Sequence, residues 1–257
     1  MAGSIEAPFA KFARAEAQLE ELRSEIELVF PRHKQWSVRT EAHRAGLEYR
    51  FYIGDTPSVE PDWALSAGEI MFNLRASLDY LAYELHVRHF RGKVPRNVEE
   101  TSHFPIYAFR SHFKKHSWRI ASLSKRDRRA LENLQIYIAR RDEWRWPRYW
   151  LNRLNDVHNV DKHRKLHLIR AAQGAAAIPE FGPEFGFRQE PSWGPVEPQA
   201  QVDLWTFTKA PPHVQRDTGA FLQVAIQHWH DDELIPMLDG MTNSVRKVLN
   251  RFRNRFK

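Results

Sequence analysis

The chain contains no cysteine. Thiolate zinc sites, iron–sulfur clusters, disulfides and cysteine nucleophiles are therefore excluded from its chemistry. Glycine is scarce, at 11 of 257 residues, and no G-x-G-x-x-G, Walker A or G-x-S-x-G pattern occurs. There is no HExxH, and no nucleotide or other cofactor is expected. No run approaches the ~18–20 apolar residues that span a bilayer, so no membrane partner is expected either. The opening MAGSIEAPFAKFARAEAQLEELRSEIEL is acidic and helical in pattern, unlike a signal peptide, and a cytoplasmic location is the expectation. What is present is 28% charged and 42% hydrophobic residues with a net charge of +7. That describes an ordinary globular chain, long enough to bury a substantial core, and we read 1–257 as one domain.

Periodicity divides the chain into helices and strands. Phe9, Phe12, Ala13, Leu19, Leu22, Ile26 and Val29 recur at helical spacing up to Pro31. GLEYRFYI alternates as a half-buried strand does, and GDTPSVEP reads as a turn. Ser66 with Glu69 three residues on has capping-box spacing, predicting a helix from there to about Phe90. Residues 91–122 look irregular apart from HFPIYAF. Helices are predicted over 125–139, from about Trp146 to His163, and from about Asp232 to Arg253. KLHLIR, QVDLWTFT and GAFLQVAIQHWH alternate as strands, and about 171–200, with five prolines and four glycines, reads as a loop-rich insertion. The sum is an α+β class: a bundle of about five helices packed with an antiparallel sheet of four to five strands.

Two helices carry polar residues where leucines are usual. In WLNRLNDVHNVDKHRKL, Asn152, Asp156, Asn159 and His163 fall within roughly 60° of arc at 100° per residue. A solvated face is the commonest meaning of such a stripe. Asparagine at two of four positions favours a hydrogen-bond network instead, because solvated faces prefer Glu, Lys and Arg. In SAGEIMFNLRASLDYLAYEL, Ile70, Leu74, Leu78, Leu81 and Leu85 form the core stripe. Arg75 and Asp79 stand one turn apart, in register for an ion pair, with Asn73 nearby on another face.

Taken with FPI at 104–106, LQ at 134–135 and NVDKHRKLHL, this helix resembles a family of uncharacterised bacterial proteins. That family's pattern is Gly-Asp…His-Asn-Leu-Arg…Leu-Asp-His-Leu, then FPI, LQPY and Asn-x-Asp-Lys-His-Arg. The resemblance covers roughly residues 40–170. It runs through Gly68, Asn73, Leu74, Arg75, Leu78, Asp79, Phe104, Pro105, Ile106, Leu134, Gln135, Asn159, Asp161, Lys162, His163 and Arg164. It implies a fold and a shared site, not a reaction. Glu69 departs from the pattern's Asp, Phe72 and Tyr80 from its histidines, and Ile136 from its proline. The expected binding residues are Asn73, Arg75, Asp79, Asn152, Asn159, Asp161, Lys162 and Arg164, on two helices that face each other.

Ribonucleases of the HEPN superfamily place an Arg four to six residues before a His. Arg153/His158, Arg96/His103 and Arg110/His116 have that spacing, which is no enrichment over chance in a chain this rich in arginine. Only Arg153/His158 lies in a well-defined helix. His112/His116, His163/His167 and His228/His230 have spacings that could grip a metal, but none sits in a favourable pattern, and no metal site is expected. Cations gather in two patches, 110–129 with eight Lys/Arg and one Asp, and 246–257. RNA or DNA is therefore the expected partner, with self-association into a homodimer also considered. The sharp form of this expectation is a HEPN-like, metal-independent endoribonuclease. His163 or His158 would be the base, Asp156 would orient it, and Arg153, Arg164 or Arg75 would stabilise charge. The alternatives are a non-enzymatic binding or structural protein whose polar network only orders the helices, and a small-molecule enzyme using Asp156 and His163.

Overall fold

The structure is a computed structural model and describes residues 3–32, 34, 36–43, 48–54, 57–138, 148–163, 168–173, 202–207, 219–226 and 233–256. In chain order the elements are α1 (Glu6–Val29), β1 (Trp36–His43), β2 (Glu48–Ile53), α2 (Pro61–His89), α3 (Arg96–Thr101), α4 (Arg110–His116), α5 (Lys125–Glu132), α6 (Arg148–His163), β3 (Leu168–Gln173), β4 (Val202–Phe207), β5 (Gly219–Ile226) and α7 (Leu234–Arg253). Short 3₁₀ turns cover Ser117–Ile120 and Ile136–Ile138. None of the described helices is long and apolar enough to cross a membrane.

The chain divides into two compact units. One comprises Met1–Glu21, Leu65–Leu166 and Pro236–Lys257, and the other Leu22–Ala64 and His167–Ile235. The first is helical. Ile70, Leu74, Leu78, Leu81 and Leu85 on α2 are fully buried, as are Leu238, Met241, Val245, Leu249 and Phe252 on α7. Leu151, Leu154 and Val157 bury the apolar face of α6. In the second unit the strands pair antiparallel in the order β3-β5-β1-β2-β4, with an irregularity in the β2–β4 register between Phe51 and Tyr52. Phe30 and Trp63 meet edge to face there, and the Trp63 indole N–H donates to Glu25.

The expected α+β class, about five helices packed with a small sheet, is corrected. The described residues hold seven α-helices, and helix far outweighs strand. The undercount has a physical cause. α3 and α4 have 6 and 7 residues, two turns at most, too short for a 3.6-residue period to declare itself. Two boundaries also move. α2 starts at Pro61, where a fixed φ and a missing N–H suit the first helical turn, so Ser66 lies inside the helix and is not its cap. α5 stops at Glu132, where the chain tightens into i→i+3 bonds: the Leu134 N–H donates to the Leu131 carbonyl, which also accepts from the Gln135 amide, and the Gln135 N–H donates to the Glu132 carbonyl. Beyond residue 173, the loop-rich stretch of about 171–200 lies outside the described residues, as do His228 and His230.

One close approach fixes helix packing within the first unit. Gly240 on α7 lies against the Trp150 ring of α6, and a Cβ there would run into the ring's Cδ2 and Cε2. The contact is with the two fusion carbons of a rigid indole, not with the far end of a flexible side chain. Gly240→Ala is therefore expected to lose about 1–2 kcal/mol of stability, overpacking outweighing alanine's better helix propensity. Chemical denaturation followed by circular dichroism measures this, and an unchanged or raised midpoint would contradict it.

Candidate functional site

The i, i+4 spacing of Arg75 and Asp79 on α2 produces the expected ion pair, Nε to Oδ2 at 3.2 Å and Nη2 to Oδ1 at 3.0 Å. The pair does not stand alone. Arg75 Nη2 donates to the Phe104 carbonyl at 2.7 Å, and the Phe104 N–H donates to Asp79 Oδ1 at 2.8 Å. Gln135 grips the same segment from another side. Its Nε2 donates to the Pro105 carbonyl at 2.9 Å, and its Oε1 accepts from the Tyr107 N–H at 2.8 Å. An irregular segment running through a core leaves backbone groups that need partners. Here three side chains supply them. The α2 motif, FPI and LQ thus converge on one place.

The segment so held presents His103 and Tyr107. His103 is half-buried, and its Nδ1 lies 3.1 Å from the Thr101 carbonyl. Its Nε2 faces the Arg119 guanidinium, which comes from the 3₁₀ turn Ser117–Ile120. The arrangement fits a neutral ring that donates from Nδ1 and accepts at Nε2. Burial, then the charges of Arg119 and Arg75, hold its pKa down at about 4 against a usual 6.5, with Asp79 pulling weakly the other way. Burial raises the Tyr107 hydroxyl pKa above its usual value, and the nearby Arg119 charge opposes the rise. The Tyr107 ring stacks on His116 at 5.4 Å and 9°. Among the described residues no carboxylate lies within ion-pair distance of Arg119. Two buried guanidinium nitrogens, Arg75 Nη1 and Arg119 Nε, have no acceptor there.

The neutral His103 makes stability depend on pH. Its pKa is lower folded than unfolded, so below about pH 6.5 the unfolded chain binds the extra proton and the folded chain does not. The contribution is complete above 6.5 and disappears as the pH falls toward 4. His86, buried and hydrogen-bonded to Ser122, is also depressed by burial and acts in the same direction. Urea midpoints at pH 7, 5.5 and 4.5 should decline, and His103→Gln should flatten the decline. An identical slope in that variant would refute the assignment.

The remaining expected site residues are dispersed. α2 and α6 do meet: Gly68 lies so near Asp161 that a Cβ would stand 2.8 Å from a carboxylate oxygen, and the Phe72 and His158 rings are 6.3 Å apart. Burial raises the Asp161 pKa. Asn73, however, joins a chain through Gln18 to Glu69, with bonds of 2.8 and 2.7 Å, and does not join Arg75. On α6, Asn152 donates to Asp156 at 2.9 Å on the solvent side, and Asn159 is exposed. Arg153 and His158 are half-buried and both have partners. Of Lys162 and His163 the structure describes the backbone alone, and Arg164 lies outside the described residues. The Arg75–Asp79 pair is therefore committed to Phe104, not to the α6 stripe.

Sequence reasoning did not single out Arg119, Tyr107 or Gln135 as neighbours of Arg75. It set His103 beside Arg96 and His116 beside Arg110 by spacing, whereas Arg119 faces His103 and Tyr107 stacks on His116. The one available signal was position, since FPI and LQ share the pattern that contains Arg75 and Asp79. Among the described residues no three His, Asp or Glu side chains converge to hold a metal. Compared with family models, with curated proteins and with solved structures, the chain matches none.

Proposed function

We propose that this protein binds single-stranded RNA or DNA through the surface of α4, the following 3₁₀ turn and α5. One observation carries the reading. From 108 to 126 there is no acidic residue, and Arg110, Lys114, Lys115, Lys125, Arg126 and Arg129 are exposed. Asp127, the first acid beyond it, is buried and paired. Phe109 and Trp118 stand among these cations, 63% and 55% exposed. Cations follow a phosphate backbone, and exposed rings give bases a stacking platform. The second basic patch supports the reading less. Arg246 pairs with Glu16, Arg253 lies over Phe9 and Arg255 pairs with Asp127, so these tail cations are engaged within the fold. A cytoplasmic location belongs to the same reading.

Trp118→Ala is expected to weaken binding of a labelled oligouridine by about 1–3 kcal/mol, roughly 5- to 150-fold. Lys114→Gln with Lys115→Gln should make the salt dependence shallower, by about one unit of log–log slope per lost phosphate contact. Full-strength, salt-independent binding in both variants would refute the interface. The same RNA incubated with EDTA tests the catalytic form: cleavage lost in Arg153→Ala or His158→Ala would extend binding to metal-independent ribonuclease action. The competing reading is a non-enzymatic protein whose polar network only orders the helices. The commitment of Arg75, Asp79 and Gln135 to the backbone of 104–107 favours it, and absence of RNA or DNA binding would select it.

A further inference from the structure

We infer that Arg75, Arg119, His103 and Tyr107 form a half-buried binding site for a phosphate group, separate from the exposed cations of α4 and α5. Charge comes first. Two guanidinium groups border one imidazole, and one carboxylate, Asp79, balances one of them. Asp79 is spent on Arg75, whose side chain is 12% exposed, and the excess positive charge sits on the half-buried Arg119. Hydrogen-bond inventory comes second. Arg75 Nη1 and Arg119 Nε are buried donors without an acceptor among the described residues. A buried N–H left unpaired is destabilising, more so when it belongs to a charged group. Such donors are kept where something accepts from them.

Arg119 is held on a neutral imidazole instead of a carboxylate, with the Tyr107 phenol nearby, and the imidazole is a replaceable partner. An oxyanion entering beside Arg119 takes up the free Nε–H. The Arg75 Nη1–H is the second donor available at the cluster. Guanidinium forks match the geometry of phosphate oxygens. His103 then completes the charge match. A phosphate monoester carries about −1.5 to −2 at pH 7. The cluster offers one net positive charge with a neutral ring and two once the ring takes a proton. The bound anion draws that proton in, and no covalent step is involved. The irregular segment that carries His103 and Tyr107 is fixed by Asp79 and Gln135, so His103, which holds Arg119, is in place before the ligand arrives.

The experiment uses the full chain in chloride buffer at pH 7, titrated with inorganic phosphate and followed by melting temperature and by NMR of the His103 ring. A saturable rise in melting temperature and a rise of the His103 pKa by about one pH unit or more are expected. Arg119→Gln should abolish both, and Arg119→Lys, which keeps the charge without the fork, should bind about tenfold more weakly. Lys114→Gln with Lys115→Gln should leave phosphate binding unchanged, so this site and the nucleic-acid interface can fail independently. Adenosine 5′-monophosphate against adenosine separates the sources. Binding of the monophosphate as well as of phosphate marks a monoester site, and binding of phosphate alone marks a free-anion site. No saturable response, an unmoved His103 resonance, or adenosine binding as well as its monophosphate overturns the proposal. Should Arg119→Gln not fold, the His103 titration in the unaltered chain decides.

Discussion

Asp127→Ala is expected to lower the unfolding free energy by about 3–5 kcal/mol, the cost of breaking a buried ion pair by removing one partner. The Asp127 side chain is 3% exposed. It accepts from Arg88 of α2, from Arg255 beyond the end of α7 and from the Ser124 hydroxyl at 2.7 Å, while its own N–H donates to Ser124 Oγ and caps α5. Arg88 also donates to the Arg255 carbonyl. One carboxylate therefore joins three segments far apart in sequence. Its removal leaves two guanidinium groups facing each other, with side chains 29% and 14% exposed. Urea denaturation of Asp127→Ala and Asp127→Asn checks this, with the amide expected to recover only part of the loss. A deficit under about 1 kcal/mol in the alanine variant would show that water substitutes for the carboxylate, as it does at surface pairs.

Asp79→Ala comes second, at about 2–3 kcal/mol. Asp79 is 32% exposed, so the ion pair itself is partly screened and contributes less than a buried one. The larger part of the loss is the Phe104 N–H, deprived of its acceptor, and Arg75, deprived of its counter-charge beside a second arginine. The effect should be local as well as global. Amide exchange at Phe104 and Tyr107 should accelerate more than exchange in α7, and the His103 pKa should fall further once the Asp79 charge is gone. Uniform acceleration across the first unit would mean that the clamp carries stability without holding the segment. Asp79→Asn, which keeps one acceptor for the Phe104 N–H, should protect that amide better than alanine does.

The parts of the fold legible in sequence share one property: each is long enough for its period to repeat. The apolar stripes of α1, α2, α6 and α7 span four turns or more, and Ile70, Leu74, Leu78, Leu81 and Leu85 are all buried as their spacing requires. β1, Trp36–His43, gives no strand signal in sequence because WSVRTEAH has few apolar residues to alternate. Ser66 and Glu69 imitate a cap and set the expected start of α2 five residues late, while Pro61 and the buried Trp63 and Ala64 already begin the helix.

The site divides in the same way. An i, i+4 pair such as Arg75 and Asp79, or Asn152 and Asp156, is set by helix geometry, and sequence by itself determined that each pair would meet. It also determined the absence of thiol chemistry and the placement of cations in two runs. Sequence could not determine what lies across from a helix. Arg75 and Asp79 bond to Phe104, 29 and 25 residues away, because an irregular segment passes there with unsatisfied backbone groups. Arg119 faces inward to His103 while Lys114 and Lys115 face out, a choice made by the turn geometry of Ser117–Ile120. Arg255, one of a run of tail cations, is drawn inward by Asp127. Local periodicity assigns a residue to a face. Only tertiary packing decides whether that face meets water, an opposite charge or an unpaired backbone group, because that partner is distant in the chain.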